Sequence, residues 1–216
     1  MNSEEVARYL KEHPEFFEKY ADLLASIQIP HPHGGRAIPL SERQMLTLRE
    51  KSKVLEGKLR ELVQFGEEND SISERLHRVT LALLKAGDIS ALLESLYANL
   101  QRDFAIAAVT VRVWPNTLDL DRTEFAEVSP EAHVFAESLS EAYFSAQPMF
   151  ESAAWLPTAE HSIGSLAYLP LRAEKTFGLL VLASEDTQRF APDKGTLYLT
   201  RLSESVSMAL RRYCEV

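Results

Sequence analysis

The residues that could do chemistry in this 216-residue chain are six histidines, one cysteine and a few acidic side chains. No two histidines have the i, i+4 spacing that places two zinc ligands on one helix face. His31 and His33 lie close together, but no thiol or carboxylate stands beside them, and the neighbouring prolines favour a turn. Glu185 and Asp186 follow an apolar run, which is typical of a solvated loop. The sequence therefore predicts no metal site.

Motifs for cofactors and activated nucleophiles are also missing from the sequence. It contains no glycine-rich phosphate loop, no dinucleotide-binding glycine pattern and no Gly-x-Ser-x-Gly. Cys214 is the single cysteine, so an internal disulfide is impossible, and this fits a reducing compartment. We expect a protein that is not an enzyme and that holds no cofactor.

Composition narrows the class of protein further. A formal net charge of −9 and an isoelectric point near 5.2 make direct binding of nucleic acid improbable on electrostatic grounds. The longest apolar runs fall well short of the ~20 residues that cross a bilayer. The acidic N-terminus lacks the basic and apolar regions of a secretory signal. These observations predict a folded cytoplasmic protein without a membrane segment.

A short helical arm and a linker occupy residues 1–40. Pro14 separates two amphipathic stretches, and the second is too apolar for a free tail, so we expect it to dock on a protein partner. The residues of this partner arm are Phe16, Phe17, Tyr20, Leu23 and Leu24. Three prolines and two glycines in residues 28–40 then predict a linker without regular structure.

Residues 41–86 have the pattern of one long helix. Ser41 and Gln44 match a capping box, and no proline follows before Ala86. A heptad row predicts a parallel coiled-coil homodimer, in which one buried asparagine would fix the register. The row consists of Leu48, Leu55, Leu62, Asn69, Leu76 and Leu83. The alternative is an amphipathic helix that lies on its own domain and leaves Asn69 exposed.

Residues 88–216 mix helical and strand patterns. Asp88 and Ser129 are candidate N-caps, and the alternation in residues 107–114 predicts a half-buried strand. Residues 123–128 predict a weaker strand, whereas residues 163–171 and 176–184 predict a hairpin. The helix that starts at Pro130 is expected to reach Tyr143, residues 146–161 to be irregular, and an amphipathic helix to close the chain. The fold class is α+β, an antiparallel sheet flanked by helices.

Residues 164–184 and 189–193, with the helix after them, resemble the C-terminal half of a GAF domain. The motifs that carry the resemblance are Pro170-Leu171, Gly178-Leu179-Leu180 and Phe190. Together with the N-terminal run of residues 6–17, the histidines near residue 32 and the heptad helix, the chain resembles the bacterial family designated domain of unknown function 484. The resemblance implies a GAF-like domain behind a helical extension.

The GAF resemblance also implies where a ligand would bind. Residues 174–177 depart from the cyclic-nucleotide motif, and Cys214 is misplaced for attaching a bilin. The candidate pocket residues are Arg112, His133, Tyr143, Phe150, Trp155, His161 and Tyr168. Two functions stay open. One is a sensory or regulatory protein in which a small molecule or partner acts through the coiled coil. The other is a structural adaptor whose aromatic residues fill a solid core.

Overall fold

The computed structural model describes residues 2–31, 34–114, 121–156, 163–191 and 195–214. Contacts divide the chain into two units, Met1–Glu67 and Glu68–Val216, and each is described by itself. We call the second unit the sheet domain. Among the described residues, no helix combines the length and the apolar character that crossing a lipid bilayer requires.

Three short helices open the first unit. They are α1 (Ser3–Glu12), α2 (Glu15–Lys19) and α3 (Ala21–Ser26). α1 begins with a capping box: the Asn2 side chain accepts a hydrogen bond from the Glu5 backbone N–H, and the Glu5 carboxylate accepts one from the Asn2 N–H. Pro14 stands between α1 and α2, where the sequence predicted the break.

Two strands follow these helices, β1 (Gln28–His31) and β2 (Gly34–Pro39), and they pair antiparallel. The expectation of no regular structure in residues 28–40 is therefore wrong. Proline lacks the N–H that a sheet ladder needs. Each strand of a two-stranded ribbon has one edge without ladder bonds, and prolines are accepted there.

α4 (Leu40–Lys85) is one continuous helix of 46 residues, which confirms the predicted long helix. It begins one residue before Ser41, so that serine lies in the first turn instead of at the cap position. The part of α4 in the first unit leaves leucines of the heptad row largely exposed. Leu48, Leu55 and Leu62 are 64%, 65% and 66% exposed.

The same heptad row is buried in the sheet domain. Leu76 and Leu83 are 8% and 1% exposed and lie in the chain's own core beside Val79. Their assignment to a dimer seam needs correction, because a side chain packed in its own domain is not available to a second copy. Heptad spacing alone cannot separate the two cases, since either surface needs an apolar side chain every second turn.

The sheet domain is built on a four-stranded antiparallel sheet in the order β3-β6-β5-β4. Its strands are β3 (Ala108–Val113), β4 (Tyr143–Ser145), β5 (Ser165–Arg172) and β6 (Thr176–Ser184). β5 and β6 form the predicted hairpin, in which Leu169 lies opposite Leu180. Val111 of β3 lies opposite the same leucine on the other side of β6. The predicted α+β class is confirmed.

Helices cover both faces of this sheet. They are the end of α4, α5 (Ile89–Phe104), α6 (Pro130–Ser138), α7 (Ser152–Trp155) and α8 (Leu197–Leu210). Both predicted caps are present: Asp88 accepts from the Ala91 N–H at 2.8 Å, and Ser129 accepts from the Ala132 N–H at 3.2 Å. α4, α5 and α8 pack on one face, and α6 and α7 pack on the other.

Three local predictions differ from the structure. Residues 123–128 contain a 3-10 helix (Thr123–Phe125) instead of a strand, because Glu124 is held by the Tyr97 hydroxyl at 2.9 Å. α6 ends at Ser138, so Tyr143 lies in β4, and α7 interrupts the segment expected to be irregular. β3 is buried along its whole length, not on one face only, since helices cover both sides.

Gly178 marks a close approach of β6 to its neighbour. A Cβ at this position would lie 2.6 Å from the Arg112 carbonyl oxygen, a backbone atom that cannot move away alone. Gly178→Ala should therefore lower the free energy of unfolding by ~1–3 kcal/mol, as overpacking does. Gly66→Ala is the matched control, because α4 leaves open space at Gly66. It should raise helix stability by up to ~1 kcal/mol. Urea unfolding of both variants measures the contrast, and equal midpoints would contradict it.

Candidate functional site

Five aromatic side chains meet on the α6/α7 face of the sheet, and we call them the aromatic cluster. They are Phe135, Tyr143, Phe150, Trp155 and Tyr168. The Phe135 ring lies 5.3–5.5 Å from the rings of Tyr143, Phe150 and Tyr168. The Trp155 ring lies 5.4 Å from Phe150. Four of the five were predicted pocket residues. Phe135 was missed, although the periodicity of α6 placed it on the apolar face.

Tyr168 anchors the segment before α7 to the sheet. Its side chain is fully buried on β5, and its hydroxyl oxygen accepts a hydrogen bond from the Met149 N–H at 2.9 Å. The Ser152 hydroxyl lies 2.8 Å from the same oxygen. Between these contacts Phe150 adopts a φ of 41°, a left-handed backbone conformation that strains a bulky residue. The contacts of Met149 and Ser152 with Tyr168 therefore hold the backbone of Phe150 in this conformation.

Arg112 lies beneath the cluster on β3 and is 7% exposed. Its guanidinium carbon stands 5.1 Å from the centre of the Trp155 ring, within cation–π range. Nη1 donates to the Val111 carbonyl at 3.2 Å and, more weakly, to the Thr110 hydroxyl at 3.4 Å. Nε is buried and has no hydrogen-bond partner among the described residues. Burial lowers the pKa of Arg112, but arginine stays protonated at neutral pH.

The carboxylate of Glu151 is engaged elsewhere. Its two oxygens accept hydrogen bonds from the Ser129 N–H at 2.7 Å and from the Ser129 hydroxyl at 2.6 Å. Burial opposes ionisation, yet these two bonds outweigh it and lower the pKa of Glu151. The ionised Glu151 carboxylate therefore binds Ser129, the N-cap residue of α6. In the described structure it does not form an ion pair with Arg112.

The remaining predicted residues lie apart from the cluster or outside the described residues. The His133 ring packs against Trp114 at 4.4 Å, next to the end of β3. His161 lies outside the described residues. Cys214 is buried, and burial raises the pKa of its thiol, which makes it a weak nucleophile at neutral pH. Within the described ranges no three His, Cys, Asp or Glu side chains gather as a metal site would require.

A cavity of about 650 Å³ on the opposite face was not predicted. Its lining is mostly apolar and comes from α4, α5, α8 and neighbouring residues, including Ile72, Phe104 and Tyr198. Two arginines stand in its wall, but each donates to a backbone carbonyl: Arg75 to Asp103 and Arg189 to Phe104. A binding site usually combines an apolar wall with a polar group that lacks a partner. Among the described residues, the buried Nε of Arg112 is such a group.

The chain belongs to the family of proteins of unknown function designated DUF484, whose model matches residues 1–215. It is 25% identical over 215 residues to the uncharacterized protein YigA of Salmonella typhimurium, covering 96% of this chain and 90% of that protein. It is 24% identical over 222 residues to the YigA protein of Escherichia coli K12, covering 97% of this chain and 91% of that protein. The family resemblance read from the sequence is confirmed.

Solved GAF domains are among the structures that the chain matches. The GAF domain of an Acinetobacter phosphoenolpyruvate-protein phosphotransferase is 15% identical, with a TM-score of 0.44 over 64% of this chain and 92% of that one. The GAF domain of a putative sensor histidine kinase from Pseudomonas syringae is 14% identical, with a TM-score of 0.46 over 69% of this chain and 91% of that one.

The Tyr168 hydroxyl should matter for stability, and the Tyr143 hydroxyl should not. Tyr168→Phe leaves the Met149 N–H and the Ser152 hydroxyl without their shared partner, which should lower the free energy of unfolding by ~1–3 kcal/mol. Tyr143 is 43% exposed, so Tyr143→Phe should change it by less than ~0.5 kcal/mol. Urea unfolding compares the two. A larger loss in Tyr143→Phe would contradict the assigned anchor.

Proposed function

We propose that this chain is a non-enzymatic regulatory protein: a dimer held by α4, whose sheet domain binds a small molecule on its α6/α7 face. The observation that carries the proposal is the continuity of α4. One helix supplies Val79 and Leu83 to the core of the sheet domain and, further towards its N-terminus, an exposed leucine row. A helix shared in this way transmits a change in the domain to whatever its other end contacts.

The exposed row supports the dimer. Leu59 and Phe65 are 62% and 56% exposed, like the leucines at positions 48, 55 and 62. A row of large apolar side chains in water favours association, and heptad spacing favours a second helix of the same kind. Asn69 is exposed at the end of this row, where it can fix a parallel register.

Replacing two leucines of the row by lysine should separate the dimer. Leu55→Lys with Leu62→Lys places charges in the proposed seam, so light scattering should report a monomer at tens of micromolar, against a dimer for the unmodified chain. The matched control is Val54→Lys with Leu84→Lys, two exposed residues of α4 that lie off the row, and it should stay dimeric. An unmodified chain that is monomeric at this concentration would contradict the seam.

The ligand half of the proposal is supported by the incomplete burial of the aromatic cluster. Phe135, Phe150 and Trp155 are only partly buried, although they pack against fully buried residues of β5 and β6. Stacking surfaces of this kind next to one buried cation suit a small molecule with an aromatic or apolar body. No glycine-rich cradle for phosphates occurs in the sequence, which argues against a highly phosphorylated ligand.

The alternative function is a structural adaptor that recruits a partner through residues 1–40. Tyr9, Tyr20 and Leu23 are 50%, 46% and 46% exposed, which supports an arm that docks on another protein. Phe16 packs against Tyr20 at 4.8 Å and against Phe17 at 5.7 Å, so the arm is partly ordered by its own rings. The side chain of Leu24 lies outside the described residues. On this alternative the aromatic cluster is only a packed core.

Trp155→Ala separates the two functions. If the cluster is an open binding site, truncating this partly exposed ring should lower the free energy of unfolding by less than ~2 kcal/mol. If the cluster is a closed core, the loss should reach the ~3–5 kcal/mol typical of a buried aromatic. Phe177→Ala is the control, because Phe177 is 3% exposed and should show the full loss. Thermal unfolding of both variants measures the difference, and equal losses would favour the adaptor.

A further inference from the structure

Arg112 carries a buried charge that forms no ion pair among the described residues. A guanidinium has five N–H donors in a planar fork suited to a carboxylate. Among the described residues, only Nη1 forms protein hydrogen bonds, both to neutral oxygens of neighbouring residues in the same strand. Burying a cation without a counterion is unfavourable, and an apolar residue of similar volume would stabilise the fold better. An arginine at such a position is more readily explained by binding than by packing.

The two carboxylates that act on Arg112 through space are both committed to other groups. Glu124 accepts from the Tyr97 hydroxyl at 2.9 Å and from Arg122 Nε at 3.3 Å. Glu151 accepts twice from Ser129. Both stay ionised near the guanidinium and partly offset its charge. They also repel further negative charge, so the site favours a ligand with one negative charge over a dianion.

Beside the guanidinium, the surface is aromatic. Trp155 lies against the Arg112 guanidinium, and the ring of Phe150 continues the surface away from it. Phe150 has a left-handed φ of 41°, which its own backbone disfavours, so the contacts around Phe150 hold this ring in place. Charge at one end and flat apolar surface at the other is the complement of a small amphiphilic anion.

We infer that the α6/α7 face of the sheet domain binds a small monocarboxylate with an aromatic or apolar body. The carboxylate pairs with the free donors of Arg112, and the body stacks on Trp155 and Phe150. This inference rests on the proposed function, since it names the chemical class of the small molecule that the sheet domain takes up.

Paired probes test the charge requirement directly. Indole-3-acetate and phenylacetate carry the carboxylate, and their amides, indole-3-acetamide and phenylacetamide, keep the shape without the charge. Calorimetric titration of the full chain should show that at least one acid binds tenfold or more tightly than its amide. Arg112→Gln should remove that preference and leave the affinity for the amide unchanged. Arg112→Lys, which keeps the charge, should restore part of it. Arg172→Gln, a change at an exposed arginine of β5, should leave the preference intact.

A second measurement needs no ligand. Arg112→Met replaces the buried cation by an apolar chain of similar length, so it should raise the Tm of the free chain by about 2–4 °C. A fall in Tm would mean that Arg112 is a structural residue and would overturn the inference.

Equal affinity of acid and amide would also overturn the inference, but it would leave the proposed function standing, since a small molecule would still bind. Failure of both pairs to bind at 10 mM, about 100 times a Kd of ~0.1 mM, would overturn the inference whatever the Tm shows. With a fall in the Tm of Arg112→Met as well, it would count against the ligand half of the proposed function.

Discussion

The packing of the end of α4 into the core that it shares with α5 and α8 is the contact on which the rest of the chain depends. Val79 and Leu83 are almost completely buried, and with Leu92, Leu96 and Val206 they form one face of the core. Buried leucines and valines each contribute ~1.5–3 kcal/mol through the water that they exclude. Leucines nearer the N-terminus of the same helix do not reach this core and are exposed. One helix therefore contributes to a stable core and also carries a row of exposed apolar side chains.

The second face of the sheet is held by polar contacts as well as by apolar ones. The Tyr168 hydroxyl fixes the backbone at Met149, and the Glu151 carboxylate fixes Ser129 at the start of α6. These bonds position the cluster rings, three of which stay partly exposed. Cores stabilised by apolar contact alone are close-packed and leave little room for a ligand. Polar anchors at the margin of the cluster allow rings to be ordered and still partly exposed.

The sequence predicted those features that depend on neighbours along the chain. The caps at Asp88 and Ser129, the length of α4 and the β5–β6 hairpin all follow from local chemistry, and all are present. The prediction failed where a distant partner decides the outcome. Residues 28–31 and 34–39 pair with each other despite Pro30 and Pro39, and residues 123–125 form a 3-10 helix because Tyr97, on α5, holds Glu124.

The candidate site was predictable only in part, for the same reason. The aromatic residues between Tyr143 and Tyr168 were recognisable as a group from their types. The meeting of Phe135 with three of their rings, however, requires α6 to cross the sheet at one place. Likewise, the absence of a partner for Arg112 Nε among the described residues is a property of the folded neighbourhood. The sequence around β3 does not predict this absence of a partner, since Thr110, Arg112 and Trp114 simply alternate with valines.

β6 connects the two faces physically. Its residues alternate, so Leu179 and Val181 pack with Tyr168 while Leu180 and Leu182 pack in the core that contains Leu83. Every one of these β6 side chains is fully buried. In a close-packed interior, a ligand that displaces a ring of the cluster has to be accommodated by neighbouring side chains or by movement of the strand beneath them. On the proposed function, movement of β6 changes the core into which Val79 and Leu83 of α4 pack. On the same proposal, the change passes along α4 to the exposed leucine row, because the helix is continuous from Leu40 to Lys85.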